Sequence, residues 1–321
     1  MKFCSAYYSD VGKKETNQDS LLLMQRRQPQ GDEIVFAVIC DGVGGLKMGE
    51  QASAEVVTAF HDWFTNQIEG LYQQEIPMTA LFNDWDKLIQ ELHGLLKEHS
   101  ENAGFRSGTT VEAVLLMKNQ YYICHIGDCR TYVISDTIDQ LTTDHTVVQR
   151  EITEGKLTPQ QAAKDPRQSL LLQCVGAGNA VKPDYLYGDI KPHQVFLLCC
   201  DGFRRRITGS EIKEICKYST KEKKLHDALE EVIRLCKKRK ETDNITGILI
   251  MLQFFVRDTD EFGEIQCFQL GFGQIFQTFV LPLVNQHLAQ IPLHTVSHQI
   301  HINLNGDFLI GGVGVGNVDL G

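Results

Sequence analysis

The stretch "VEAVLLMKNQYYICHIGDCRTYVIS", residues 111–135, decides the fold. It holds three apolar runs rich in Val, Ile and Tyr, interrupted only at "KNQ" (118–120) and "GD" (127 and 128). Breaks this short permit a hairpin but leave no room for the crossover helix that a parallel pair needs. The sheet is therefore largely antiparallel. Similar alternating or apolar runs at 2–9, 20–26, 33–40, 182–188, 194–200 and 245–254 read as further strands. Helical periodicity marks 49–68, 78–100 and 222–240, with shorter helices at 158–164 and 208–218 opened by Thr or Ser near an acid or Gln. Long helices fall between blocks of strands. That grouping predicts sheets packed on each other with helices outside, an α+β layering and not a doubly wound parallel sheet.

Composition narrows the classes. The 321 residues are 42% hydrophobic and 22% charged, and the two kinds are mixed along most of the chain, so a large core is expected. The formal charge of −10 argues against a general nucleic-acid binder, which needs a basic face. No run approaches a membrane span, and "MKFCSAYYSD" has no signal-peptide core, so a cytoplasmic protein is expected. Ten cysteines form no CxxC pair and no zinc spacing, and read as buried free thiols. Residues 258–321 contain no Lys or Arg and end in a Gly- and Val-rich run, which divides the chain at about 255/256 into a main domain and a β-rich appendage or flexible tail.

Chemistry concentrates at strand ends. "VFAVICDGVGGLKMGE" (35–50) delivers Asp41 from an apolar strand onto a glycine-rich turn, and "VFLLCCDGF" (195–203) repeats the pattern at Asp201. Asp243 immediately precedes the strand of "ETDNITGILIML", and Asp128 and Asp19 also lie at strand ends. One Asp-Gly alone is an ordinary turn signal. Five carboxylates brought together would repel and raise one another's pKa unless cations neutralise them. Oxygen ligands without Cys or His favour Mg²⁺ or Mn²⁺, and a pair of such ions can clamp a phosphoryl group. A glycine at 42 would let its own carbonyl approach a metal.

The ordered set "NQDS" (17–20), "VFAVICDGVGGLKMGEQAS" (35–53), "SGTT" (107–110), "IGDCRTYVI" (126–134), "LTTDHTVV" (141–148), "CCDGF" (199–203) and "TDNIT" (242–246) resembles the metal-dependent PP2C-type (PPM) protein serine/threonine phosphatases, and its bacterial branch most. The resemblance covers roughly residues 3–254 and implies an α+β fold, a four-layer α/β/β/α sandwich of two mainly antiparallel sheets flanked by helix pairs, with the metal centre at one edge. Carried over by position, it implies that Asp41 bridges two Mn²⁺ or Mg²⁺ ions, Asp201 and Asp243 complete the first, and the Gly42 carbonyl holds the second. Asp19 would order the water shell, and Asp128 would help recruit a third ion. A metal-bridging water would attack phosphorus in line while the seryl or threonyl oxygen leaves, without a phosphoenzyme. Residues 143–176 would form the flap beside the cleft. Partners would be phosphorylated proteins and an opposing serine/threonine kinase, with no nucleic acid, no membrane and a monomeric chain.

Departures from the pattern point to a second reading. Lys14 stands where the family usually carries arginine, so it can neutralise phosphate but cannot grip it with a planar bidentate pair. Gln18 replaces a glutamate and Val43 a histidine found in other members, both as in many bacterial ones. The alternative is a catalytically weak PP2C-like domain that binds phosphoprotein or regulates a partner. The tail offers a third possibility, docking by strand addition at a sheet edge. "KKRK" (237–240) favours its helix dipole, and the tail histidines 294, 298 and 301 lack a partnering Cys or Glu.

Overall fold

A computed structural model of the chain describes residues 2–28, 31–43, 48–73, 77–216, 222–253, 265–270, 299–302 and 308–311. Strands β1 (Lys2–Asp10), β2 (Asp19–Arg27) and β3 (Glu33–Asp41) are followed by the long helices α1 (Gly49–Gln73) and α2 (Met78–Ala103). Then come β4 (Val111–Met117), β5 (Gln120–Ile126), β6 (Arg130–Ile134) and β7 (Ile138–Gln140), and the short helices α3 (Val147–Thr153) and α4 (Pro159–Ala162). β8 (Asp184–Asp189), β9 (Val195–Cys199), α5 (Asp201–Arg204), α6 (Gly209–Cys216), α7 (Glu222–Lys238) and β10 (Ile245–Gln253) complete the part matched by the motifs. Beyond it lie β11 (Ile265–Leu270), β12 (Gln299–Ile302) and β13 (Phe308–Gly311).

Two antiparallel sheets result. One runs β1-β10-β9-β6-β7; the other runs β13-β12-β11-β2-β3-β4-β5-β8. β11 joins the second sheet along β2, from Ile265 opposite Arg26 to Leu270 opposite Leu21, so the described tail strands extend this chain's own sheet edge.

β3 shows why an apolar run without polar interruptions is a strand here. Val35, Ala37 and Ile39 point between the sheets into one core with Leu21, Leu23, Leu198 and Ile250, whereas Ile34, Phe36, Val38 and Cys40 face α1 and α2. A strand buried on both faces reads as continuously apolar, because its period of two divides one core from another and not core from water. The outer face of the other sheet is covered by α5, α6 and α7, through residues such as Phe203, Ile212, Leu229 and Ile233. These contacts make the expected four layers.

One expectation needs correction. "KN" does close a hairpin between β4 and β5, with Met117 opposite Gln120. "GD" does not. β6 leaves β5 and pairs with β9 in the other sheet. Gly127 makes this crossing possible: its φ of +107° is one that side chains rarely adopt, and a Cβ there would meet the Thr110 side chain at 2.5 Å. The crossing delivers Asp128 to the end of the sandwich.

Candidate metal centre

At that end the acids are placed strand by strand. β2 and β3 pair in a register that sets Asp19 directly opposite Asp41, a like-charge pair that by itself destabilises a sheet. Asp201 opens α5 just after β9, and Asp243 just precedes β10. Because β9 and β10 are hydrogen-bonded neighbours with Cys199 opposite Gly247, those two acids share one end of their sheet. Thr246 Oγ1 on β10 donates to Asp19 Oδ2 on β2 at 2.6 Å and so ties the two sheets together beneath the cluster.

The intervening loops are pinned by asparagines. Asn244 Nδ2 donates to the carbonyls of Val11 (2.9 Å) and Thr16 (3.2 Å), and its Oδ1 accepts from the Gln18 amide at 2.9 Å. "NQDS" is thereby clipped onto "TDN". Gly42 has a steric reason to be glycine: a Cβ there would lie 2.6 Å from the Gly49 carbonyl and 2.8 Å from that of Gln18. The start of α1 therefore closes directly on the end of β3. Residues 44–47 of the glycine-rich turn lie outside the described residues. The Gln18 side chain donates to Glu50 Oε2 at 3.3 Å.

Burial and mutual repulsion act on the acids as expected. Burial pushes Asp19 and Asp128 up to about 7, with Asp201 adding to both, and pushes Asp41 well above the carboxylate range, with Asp19, Asp201, Asp128 and Asp243 adding. Burial also raises Asp201 against the pull of Arg205 and Arg204. Asp243 alone is held below its ordinary value: burial opposes this, but Lys14, the Asn244 amide and Arg205 outweigh it. Lys14 Nζ lies 3.1 Å from Asp243 Oδ1, which places the expected phosphate contact against an acid of the cluster.

Sequence reasoning passed over the cations of "DGFRRR". Arg204 donates to the Asp128 carbonyl at 2.9 Å and to Asp144 Oδ2 at 3.2 Å. Arg130 grips Asp144 with two bonds, at 2.7 and 2.8 Å, so the start of the 143–176 segment is tied to the crossing at Asp128. Arg205 pairs with Asp201 and reaches Asp243 Oδ2 at 3.4 Å and Glu241 Oε1 at 3.3 Å. Three consecutive arginines directly after a strand-end acid were the available signal. Glu112 and His125 were also passed over, each masked inside an apolar strand; they form a fully buried pair at 2.6 Å, completed by Thr131.

These residues suit hard divalent ions. Asp19 Oδ1 is buried without a hydrogen-bond partner, and ligand atoms of Asp19, Asp41 and Cys200 lie within 4.8 Å of one another. An unpartnered buried carboxylate oxygen among other carboxylates is costly when charged, and a proton or a bound cation relieves that cost. Cys200 is fully buried, and burial pushes its thiol well up, as it does for Cys129. Buried protonated thiols are not nucleophiles. The nine cysteines at positions other than 267 are all free and buried.

A sequence model of the protein phosphatase 2C family matches residues 8–250, and the chain belongs to that family. The protein phosphatase PhpP of Streptococcus pneumoniae is 29% identical over 248 residues, covering 76% of this chain and 95% of the relative. The crystal structure of the Mycobacterium tuberculosis serine/threonine phosphatase PstP/Ppp superposes with a TM-score of 0.65 at 26% identity, covering 78% of this chain and 99% of the other. A structure of the catalytic domain of serine threonine protein phosphatase PstP, in complex with 2 manganese ions, superposes with a TM-score of 0.63 at 23% identity, covering 78% and 99%.

Proposed function

We propose that the chain hydrolyses phosphoserine and phosphothreonine on proteins at a centre of two or three Mn²⁺ or Mg²⁺ ions, held by Asp41, the Gly42 carbonyl, Asp201, Asp243 and Asp128. The observation that carries this reading is the convergence of four strand-end carboxylates, Asp19, Asp128, Asp201 and Asp243, on the fifth, Asp41, with one buried oxygen of Asp19 left unpartnered. Divalent ions bound there supply neutralisation of the phosphoryl charge and activation of water. The protein's own part is orientation. Asp19, fixed by Thr246, accepts hydrogen bonds from ordered water, and Lys14, nearly half exposed at the rim, meets the arriving phosphate. Relatives carry the names protein phosphatase and serine/threonine phosphatase, and this supports protein substrates and an opposing kinase. No helix among the described residues is long and apolar enough to cross a membrane. We place the protein in the cytoplasm as a monomer, with residues 1–255 as the phosphatase domain and 256–321 as an appendage.

Release of phosphate from a phosphothreonine peptide is expected to require Mn²⁺, to stop with chelator and to fall on the order of 10²–10³-fold in Asp201→Asn, the scale of losing one transition-state charge stabiliser. Equal, chelator-resistant turnover by both proteins removes the reading. The second reading, a catalytically weak phosphoprotein-binding domain, draws on Arg205 lying across Asp201 and Asp243. Tight phosphopeptide binding without metal-dependent phosphate release would establish it instead.

A further inference from the structure

Arg205 stands one helical turn after Asp201, the spacing at which side chains meet on a helix face. Its guanidinium touches Asp201 and Asp243, the two acids assigned to the first ion, and among the described residues no other side chain forms an ion pair with both. The same Nη1 that reaches Asp243 also reaches Glu241 Oε1 at 3.3 Å, and the same Nη2 that meets Asp201 also lies 3.4 Å from Ser169 Oγ in the 143–176 segment. Glu241 is 1% exposed and held rigidly, since Oε1 also accepts from the amides of Thr242 (2.8 Å) and Asp243 (3.1 Å). A guanidinium and a divalent ion cannot share the same carboxylate oxygens, because like charges in contact at a buried site repel strongly.

We infer that Arg205 is a tethered cation that holds the Asp201 and Asp243 carboxylates together in the metal-free protein and gives up those two contacts, keeping the ones to Glu241 and Ser169, when a divalent ion binds. The inference rests on the metal-centre reading above. Arg205 neutralises the acids in the absence of metal, so it stabilises the empty fold. It also competes with the ion, so it weakens metal affinity. Glu241, already in contact, retains the guanidinium when it leaves the two aspartates.

The test is calorimetric titration of Mn²⁺ into chelator-stripped protein, with the thermal midpoint of each stripped sample measured alongside. Arg205→Ala is expected to bind Mn²⁺ about tenfold more tightly than the wild type, within the range of typical site couplings, while its metal-free midpoint falls. Arg205→Lys should fall between the two and decides the matter if the alanine variant does not fold. Glu241→Gln, which removes the charge of the resting place, should weaken Mn²⁺ binding severalfold. Equal or weaker Mn²⁺ affinity in both Arg205 variants overturns the inference and leaves the metal centre standing. Failure of every protein, wild type included, to bind Mn²⁺ removes the metal centre and the inference together.

Discussion

Asp19 and Asp41 face each other across two paired strands, one with an oxygen that has no partner, and both are pushed upward by burial. Such a pair is a cost to the metal-free fold that binding of cations offsets. Asp41→Asn should therefore raise the thermal midpoint of the metal-free protein by roughly 2–4 °C, the shift that about 1 kcal/mol gives in a domain of this size. The same substitution should weaken Mn²⁺ binding. Scanning calorimetry with and without metal measures both, and a lower metal-free midpoint would mean that the carboxylate is structurally satisfied without ions. Asp41 itself was legible from its strand-end position. Its confrontation with Asp19 was not, because register is a property of two strands and is written in neither alone.

Among the elements, β3 joins both cores and carries the site's central acid at its end. Phe36 is fully buried under the helix pair, with ring centroids of Phe60, Trp63, Phe64 and Trp85 between 5.1 and 6.1 Å away. Phe36→Ala should cost about 3–5 kcal/mol in urea unfolding, the range for removing a buried aromatic, whereas Phe36→Leu should cost markedly less. Similar costs for the two would show that the aromatic ring itself, and not the volume it fills, is what the cluster requires. The positions of the strands and long helices were legible from period and length. The partner of β6 was not: a two-residue break is compatible with a hairpin and with a change of sheet, and Gly127 with its left-handed backbone selects the second. That choice moves Asp128 into the acidic end.

Over the whole molecule the acidic end couples stability to pH and to metal. Burial pushes Asp19 and Asp128 up to about 7 in the folded protein, above the ordinary carboxylate range they return to when unfolded. Between roughly pH 4 and 7 the native state thus holds protons that the unfolded chain has released, so stability falls as pH rises through this window and levels off above about 7. The metal-free thermal midpoint should drop from pH 5 to 7, Asp128→Asn should flatten the drop, and saturating Mn²⁺ should abolish it by removing the reason to hold those protons. A wild-type profile that rises with pH and ignores Mn²⁺ would show that these carboxylates are ionised and neutralised within the protein itself.

The amino-acid sequence alone determined the strands, the helices, the antiparallel layering and the strand-end acids, because hydrophobic period and chain geometry are local and survive in one dimension. The tertiary structure alone decided which sheet receives β6, that Asp19 opposes Asp41, that Lys14 rests on Asp243, and that Arg205 lies where an ion is expected. Those are facts about distances between residues as far apart in sequence as Lys14 and Asp243. Charge interactions depend on such distances and on burial, and neither exists until the chain has folded.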